Sequence, residues 1–252
     1  MANNAKLINN LRIFRSNMGA QTTQSHVKYI FNGEDRVIPD NSDLAGVYKK
    51  VQEYVRYLNI FGWVKYIAIT GSYAAEKSRP EDDIDLFIVI ENGRLWWYRG
   101  LLTIHPALRR VMRRDNHSSD NAGKLCINLI AQERGVSFDP DLFTFHELYF
   151  MLPVFNAEYR NTVLNHNGWV KEFGGYVEKA NKRETPKATS GFTYFLWRVF
   201  DLVAFIPQLC FMYVMGHKPN LRRIIEAYRK GRIEFYPSDF KKEKLDLYNQ
   251  SR

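Results

Sequence analysis

Apolar positions at Leu44, Val47, Val51, Val55 and Leu58 recur at helical spacing. They predict a helix over 43–60, with Asn41, Ser42 or Asp43 as N-cap and Phe61-Gly62 as its end. The period then changes. A β-branched and aromatic run over 64–70 predicts a first central strand. The run over 83–90 is apolar on both faces after its acidic start and predicts a second central strand. A third strand is expected over 124–131. Between them lie a short helix over 73–77 opened by Gly71-Ser72, a turn over 79–82, a helix over 95–114 after Glu91-Asn92-Gly93, and a polar loop over 115–123.

Beyond the third strand the spacing is helical: 144–151, 157–164, 190–216 and 220–230. The polar stretch 172–190 holds Gly174-Gly175 and Pro186 and is expected to be a linker. Residues 1–40 are polar and mixed, with an apolar strip at 27–31, and are expected to form an N-terminal arm or a small helix. The expected layout is α/β (α+β): an arm over 1–40, an α/β domain over 41–170 and a helical C-terminal region over 171–252.

Charge adds a bias toward acidic partners. The net charge of +9 fits nucleotides, nucleic acid or an anionic membrane surface, and it also fits a basic surface that only confers solubility. Cys126 and Cys210 lie far apart without metal spacing, so a reducing, cytoplasmic setting is expected. The first residues carry no long apolar core of a secretory signal, and none is expected. The stretch 192–216 is long enough to span a bilayer but contains Arg198, Asp201 and Pro207. A buried helix of a soluble domain is the expectation, and membrane association is the alternative.

The chemistry concentrates between the first two strands. Gly71-Ser72 ends an apolar run; ten residues later come Asp83-Ile84-Asp85. Two carboxylates two apart on a strand share a face, and Ile84 points the other way. Asp-x-Asp alone is an ordinary exposed strand start. Beside a Gly-Ser turn, which brings N–H groups and a hydroxyl close to an anion, it becomes a candidate site for a divalent metal and a nucleotide. Arg79 in the spacer and Lys124 at the third strand are candidate phosphate contacts. Arg109, Arg110, Arg113 and Arg114 crowd a helix end, where they complement the dipole or hold phosphates. His26, His105, His117, His146, His166 and His217 show no helical metal-ligand spacing, and Lys241, Lys242 and Lys244 read as a solvated face.

Gly-Ser, a ten-residue spacer and Asp-x-Asp resemble the signature of the DNA polymerase β-type nucleotidyltransferase superfamily, over about 64–131. The spacer resembles that of the minimal nucleotidyltransferases. The continuation GRLWWYRGLLTIHPALRR, GKLCINLIAQE and FHELYFMLPVFN is similar to bacterial and archaeal proteins carrying such domains. The resemblance implies a mixed sheet flanked by helices, a nucleoside triphosphate donor, and Mg²⁺ (or Mn²⁺) held by Asp83 and Asp85. It also implies a third carboxylate on a later strand. The aligned position here is Asn128, whose amide cannot take a proton as a carboxylate does. Glu133 is the alternative third acid if the strand extends, and Asp82 could assist. The expected activity is transfer of a nucleoside monophosphate to a hydroxyl of a protein, an RNA or a small molecule. The alternative is a catalytically weakened nucleotide- or partner-binding module of the same fold.

Overall fold

A computed structural model describes residues 27–31, 34–38, 42–113, 121–174, 191–214 and 221–235. Arg114, His26, His117, His217, Lys241, Lys242 and Lys244 lie outside them, as do most of the expected polar loop and linker. The strip at 27–31 is a strand, β1 (Val27–Phe31), paired antiparallel with β2 (Glu34–Ile38). This corrects the small-helix alternative for that strip; residues 1–26 of the expected arm lie outside the described residues.

Helix α1 (Asp43–Leu58) starts where Ser42 Oγ accepts the Ala45 N–H at 3.1 Å, which makes Ser42 the N-cap. The chain then enters β3 (Val64–Ile69), a four-residue turn of helix α2 (Gly71–Ala74) and β4 (Ile84–Ile90). The helix expected over 95–114 is broken. It forms α3 (Leu95–Ile104) and α4 (Pro106–Arg109), because Pro106 has no N–H and holds His105 extended. Strand β5 (Leu125–Gln132) follows, then α5 (Leu142–Phe150), β6 (Leu152–Phe155), α6 (Tyr159–His166), α7 (Gly168–Gly174), α8 (Gly191–Val214), α9 (Leu221–Lys230) and β7 (Arg232–Glu234).

The main sheet has five strands in the order β6-β3-β4-β5-β7. β4 and β5 are parallel and the other pairs antiparallel, so the sheet is mixed. The chain is therefore mixed α/β, with three central strands where the sequence pattern placed them. Both edge strands went unpredicted: β6 carries Pro153, which suits only an edge, and β7 closes the other edge from within the region expected to be helical.

Alternation along the strands feeds two cores. Leu86, Ile88 and Ile90 pack with residues of α1 and α3 and with Ala204 of α8. Phe87 and Val89 pack with Phe145 and Leu148 of α5 and with residues of α6 and α7. Asp85 shares the second face by alternation, so its carboxylate points toward α5.

Helix α8 departs from expectation. Between Phe195 and Val214, among the residues whose burial is described, only Asp201 and Ala204 are buried, while Phe195, Leu196, Val199, Val203 and Ile206 face outward. The buried helix of a soluble domain is corrected to a helix docked along one face.

Candidate active site

The site forms where the starts of β4 and β5 meet the end of β3. The Thr70 N–H donates to the Asp85 carbonyl at 2.9 Å, which fixes the end of β3 against Asp85. The next residue, Gly71, has φ of +67°, and a Cβ built there would overlap the Asp85 carboxylate. Only glycine satisfies both constraints. Gly-Ser and Asp-x-Asp, apart in sequence, are thus in direct contact. As at any helix start, the first N–H groups of α2 lack intrahelical acceptors. Ser72 is half-buried at this turn.

Asp83 precedes β4, and its Oδ2 accepts from Arg113 at 2.5 Å. Asp85 pairs in register with Cys126 of β5. One residue further the ladder slips: Leu86 faces Ile127 but Phe87 faces Leu129, so Asn128 is the extra residue of a bulge. The bulge lets the Asn128 amide donate to Asp85 Oδ1. Asn128 Oδ1 lies 3.2 Å from the Cys126 thiol, which donates to it. Ligand atoms of Asp83, Asp85 and Cys126 all lie within 4.8 Å of one another.

The electrostatics are strained in one direction. Burial, then the neighbouring Glu147 and Asp83 carboxylates, hold Asp85 well above the ordinary carboxylate range, against the pull of Arg113 and Asn128. Burial, and then the same two aspartates, push the Cys126 thiol up, so it stays protonated. Burial works against the Arg113 charge, but its bond to Asp83 outweighs that and raises it.

Glu147 is the residue the sequence reading passed over. It stands on α5, only 7% exposed, and its Oε2 has no hydrogen-bond partner among the described residues. Its Oε1 lies 3.7 Å from His146 Nδ1. Glu147 lies in the FHELYFMLPVFN stretch, and nothing local in the sequence ties that stretch to residues 71–85. Arg113 was likewise read only as one member of a basic cluster. Its neighbours Val111 and Leu125 share a backbone bond at 2.8 Å, which carries 111–113 alongside the start of β5 and delivers Arg113 to Asp83.

The remaining predicted residues separate. Glu133 follows the far end of β5, where Gln132 pairs with Ile90, and it accepts from Asn92 at 3.4 Å. At about 3.3 Å per residue it stands roughly 20 Å along the strand from Cys126. Strand direction rules it out as a substitute third acid. Asp82 turns away and accepts the Arg79 N–H at 3.0 Å, and Arg79 is exposed in that turn. The Lys124 carbonyl accepts the Ile84 N–H at 2.7 Å, which sets Lys124 beside Asp83 at the mouth of the strands.

For a divalent ion, Asp83 and Asp85 are fitting hard oxygen donors; the neutral Cys126 thiol is not. Among the described residues, the buried Glu147 Oε2 and Thr70 Oγ1 have no hydrogen-bond partner, so this corner holds unspent hydrogen-bonding capacity. No family model, no curated protein and no solved structure matches this chain.

Proposed function

We propose that the chain is a nucleotidyltransferase that moves a nucleoside monophosphate from a nucleoside triphosphate to an acceptor hydroxyl, releasing pyrophosphate. The observation that carries this reading is the contact of Gly71 with Asp85, which sets the Gly-Ser backbone turn against one carboxylate of the Asp83/Asp85 pair. The α2 turn and the Ser72 hydroxyl would hold triphosphate oxygens. Asp83 and Asp85 would hold Mg²⁺ (or Mn²⁺). The ion, when bound, supplies charge stabilisation to the phosphates. Arg113 pairs with Asp83, and its guanidinium would be available to a phosphate oxygen where Asp83 held the ion instead. Glu147 takes the part expected of a third acid. Its bare Oε2 accepts the proton of the acceptor hydroxyl as that oxygen attacks the α-phosphorus and the bond to pyrophosphate breaks.

A second reading is favoured by the partners of the two aspartates. Arg113 on Asp83 and the Asn128 amide on Asp85 occupy the oxygens a metal would take, as in a nucleotide-binding module with weakened transfer. One experiment separates them. The full chain is incubated with each labelled ribonucleoside triphosphate and Mg²⁺, and pyrophosphate release and self-labelling are measured. Release that disappears in Asp83→Ala/Asp85→Ala supports transfer. Release that survives the double substitution overturns it, and nucleotide binding without turnover selects the second reading.

A further inference from the structure

We propose that α8 lies in the plane of an anionic membrane surface, with its outward apolar face at the acyl boundary. This goes beyond the nucleotide site and does not depend on it. At 100° per residue, Trp197, Asp201, Ala204, Phe205 and Gln208 share one face of the helix. That face is docked. The Trp96 N–H donates to Asp201 Oδ1 at 2.7 Å, the Gln208 amide donates to the Trp96 carbonyl at 2.6 Å, and Trp97 Nε1 donates to the Phe200 carbonyl at 2.8 Å.

The opposite face is inverted relative to a soluble helix. Phe195, Leu196, Val199, Val203 and Ile206 point away from the domain and are 61, 50, 47, 57 and 53% exposed. Tyr213 and Val214 extend the strip. No carboxylate, amine or guanidinium stands on it; Arg198 sits at its margin, over the Tyr228 ring. Twenty residues, Phe195–Val214, are long and apolar enough to cross a membrane, a length of about 30 Å. A single exposed apolar residue needs no explanation, but a contiguous strip of this length marks an interaction surface.

Three observations select lipid, and a helix that lies on it. A protein interface of this size would offer roughly one hydrogen bond per 100–200 Å², and this strip offers only aliphatic and aromatic carbon with one thiol and one phenol. Lys179, Lys182, Arg183 and Lys187 precede the helix in sequence and Lys218, Arg222 and Arg223 follow it, outnumbering the nearby Glu178, Glu184 and Glu226. Basic flanks around an apolar strip complement anionic headgroups. A spanning orientation is opposed by the docked face, which fixes the helix lengthwise on α3. Pro207 also cannot donate to the Val203 carbonyl, and interfacial water can satisfy that oxygen where a hydrocarbon interior cannot.

The test is flotation of the full chain, without nucleotide, with vesicles of phosphatidylcholine alone and of phosphatidylcholine with phosphatidylglycerol in equal parts. A polarity-sensitive fluorophore is attached to Cys210, which is exposed on the outward face. The expected result is flotation with the mixed vesicles, weakened by salt, with a blue shift of the probe. Val203→Glu/Ile206→Glu changes two outward side chains without touching the docked face and lowers partitioning at least about tenfold. Unchanged circular dichroism and an unchanged thermal midpoint show that this variant still folds. Three results would overturn the proposal. The chain stays in solution with both vesicle types; the double variant floats as well as the parent; or the parent is a dimer that the double variant dissociates, with no vesicle binding by either. Resistance of the bound chain to alkaline carbonate would establish a spanning helix and overturn the in-plane orientation.

Discussion

Two aspartates have their charge disfavoured by burial, Asp201 fully buried and Asp85 half-buried, and their neighbours divide them. Asp201 is 2% exposed and meets a backbone N–H at the start of α3, where the helix dipole favours an anion. Burial outweighs that help and raises its pKa to about 6. Asp85 is also raised by burial, but its next two causes are other carboxylates, Glu147 and Asp83. A fold that only needed to bury Asp85 would not add two acids beside it. Burial alone is therefore uninformative; the sign of the surrounding charge separates an aspartate that anchors a helix from one set among other carboxylates, as the proposed cation site requires.

Removing the charge from Asp85 is the strongest way to break that comparison. Asp85→Asn keeps an oxygen for Asn128 and relieves repulsion from Asp83 and Glu147. It should lower transfer by about a thousandfold, roughly 4 kcal/mol in the barrier, and raise stability by on the order of 1 kcal/mol. Pyrophosphate release and urea unfolding measure the two quantities. A loss of both activity and stability would make Asp85 structural and erase the contrast with Asp201.

Gly71→Ala tests whether the turn and the carboxylate must touch. A methyl group there overlaps the Asp85 carboxylate and adopts a φ that L residues avoid. Nucleotide affinity should fall at least about a hundredfold and stability by about 1–3 kcal/mol. Gly46, with open space around its added Cβ, serves as the control. Equal effects at both positions would mean that helix propensity alone is being read.

Asp201→Asn probes the structural partner. The folded pKa of about 6 lies above the ordinary 3.8. Stability linked to this group is therefore complete below pH about 4 and lost as pH rises through about 6. Two pKa units correspond to about 3 kcal/mol. Unfolding measured across this range should show the decline in the parent and a flatter profile in Asp201→Asn, with the variant more stable at pH 7. Identical pH profiles would mean that the docking of α8 does not hold this carboxyl out of water.

What the sequence disclosed follows the same division. Gly71-Ser72 and Asp83/Asp85 were legible because strand period and turn chemistry are local, and the spacer is short enough for adjacent strands. Glu147 was not, since its approach to Asp85 depends on how α5 packs across the sheet. Arg113 was hidden by the helix pattern over 95–114, although Pro106 marks the break. Glu133 is five residues past Asn128 along the chain, and strand direction carries it to the far end of β5, away from Asp83 and Asp85. β7 has three residues, too few for a period, and the Pro153 of β6 argues against a strand until an edge is seen. The outward face of α8 was unreadable for a further reason: apolar composition predicts a need for cover and does not say what provides it.

The smallest expected effect falls on Glu147, and it sharpens the comparison most finely. Glu147→Gln keeps the shape and one oxygen of the side chain but removes its charge. If the charge serves only to fill space on α5, the substitution relieves Asp85 and changes nothing else. If Glu147 accepts the proton of the acceptor hydroxyl, turnover falls about tenfold or more, some 1.4 kcal/mol in the barrier. Nucleotide affinity, set by the Gly71-Ser72 turn, stays unchanged. The two quantities move apart only under the second account, so turnover and binding measured on one preparation decide between them. Stability at neutral pH should rise by under about 1 kcal/mol in either case, because a carboxylate beside two others is unfavourable.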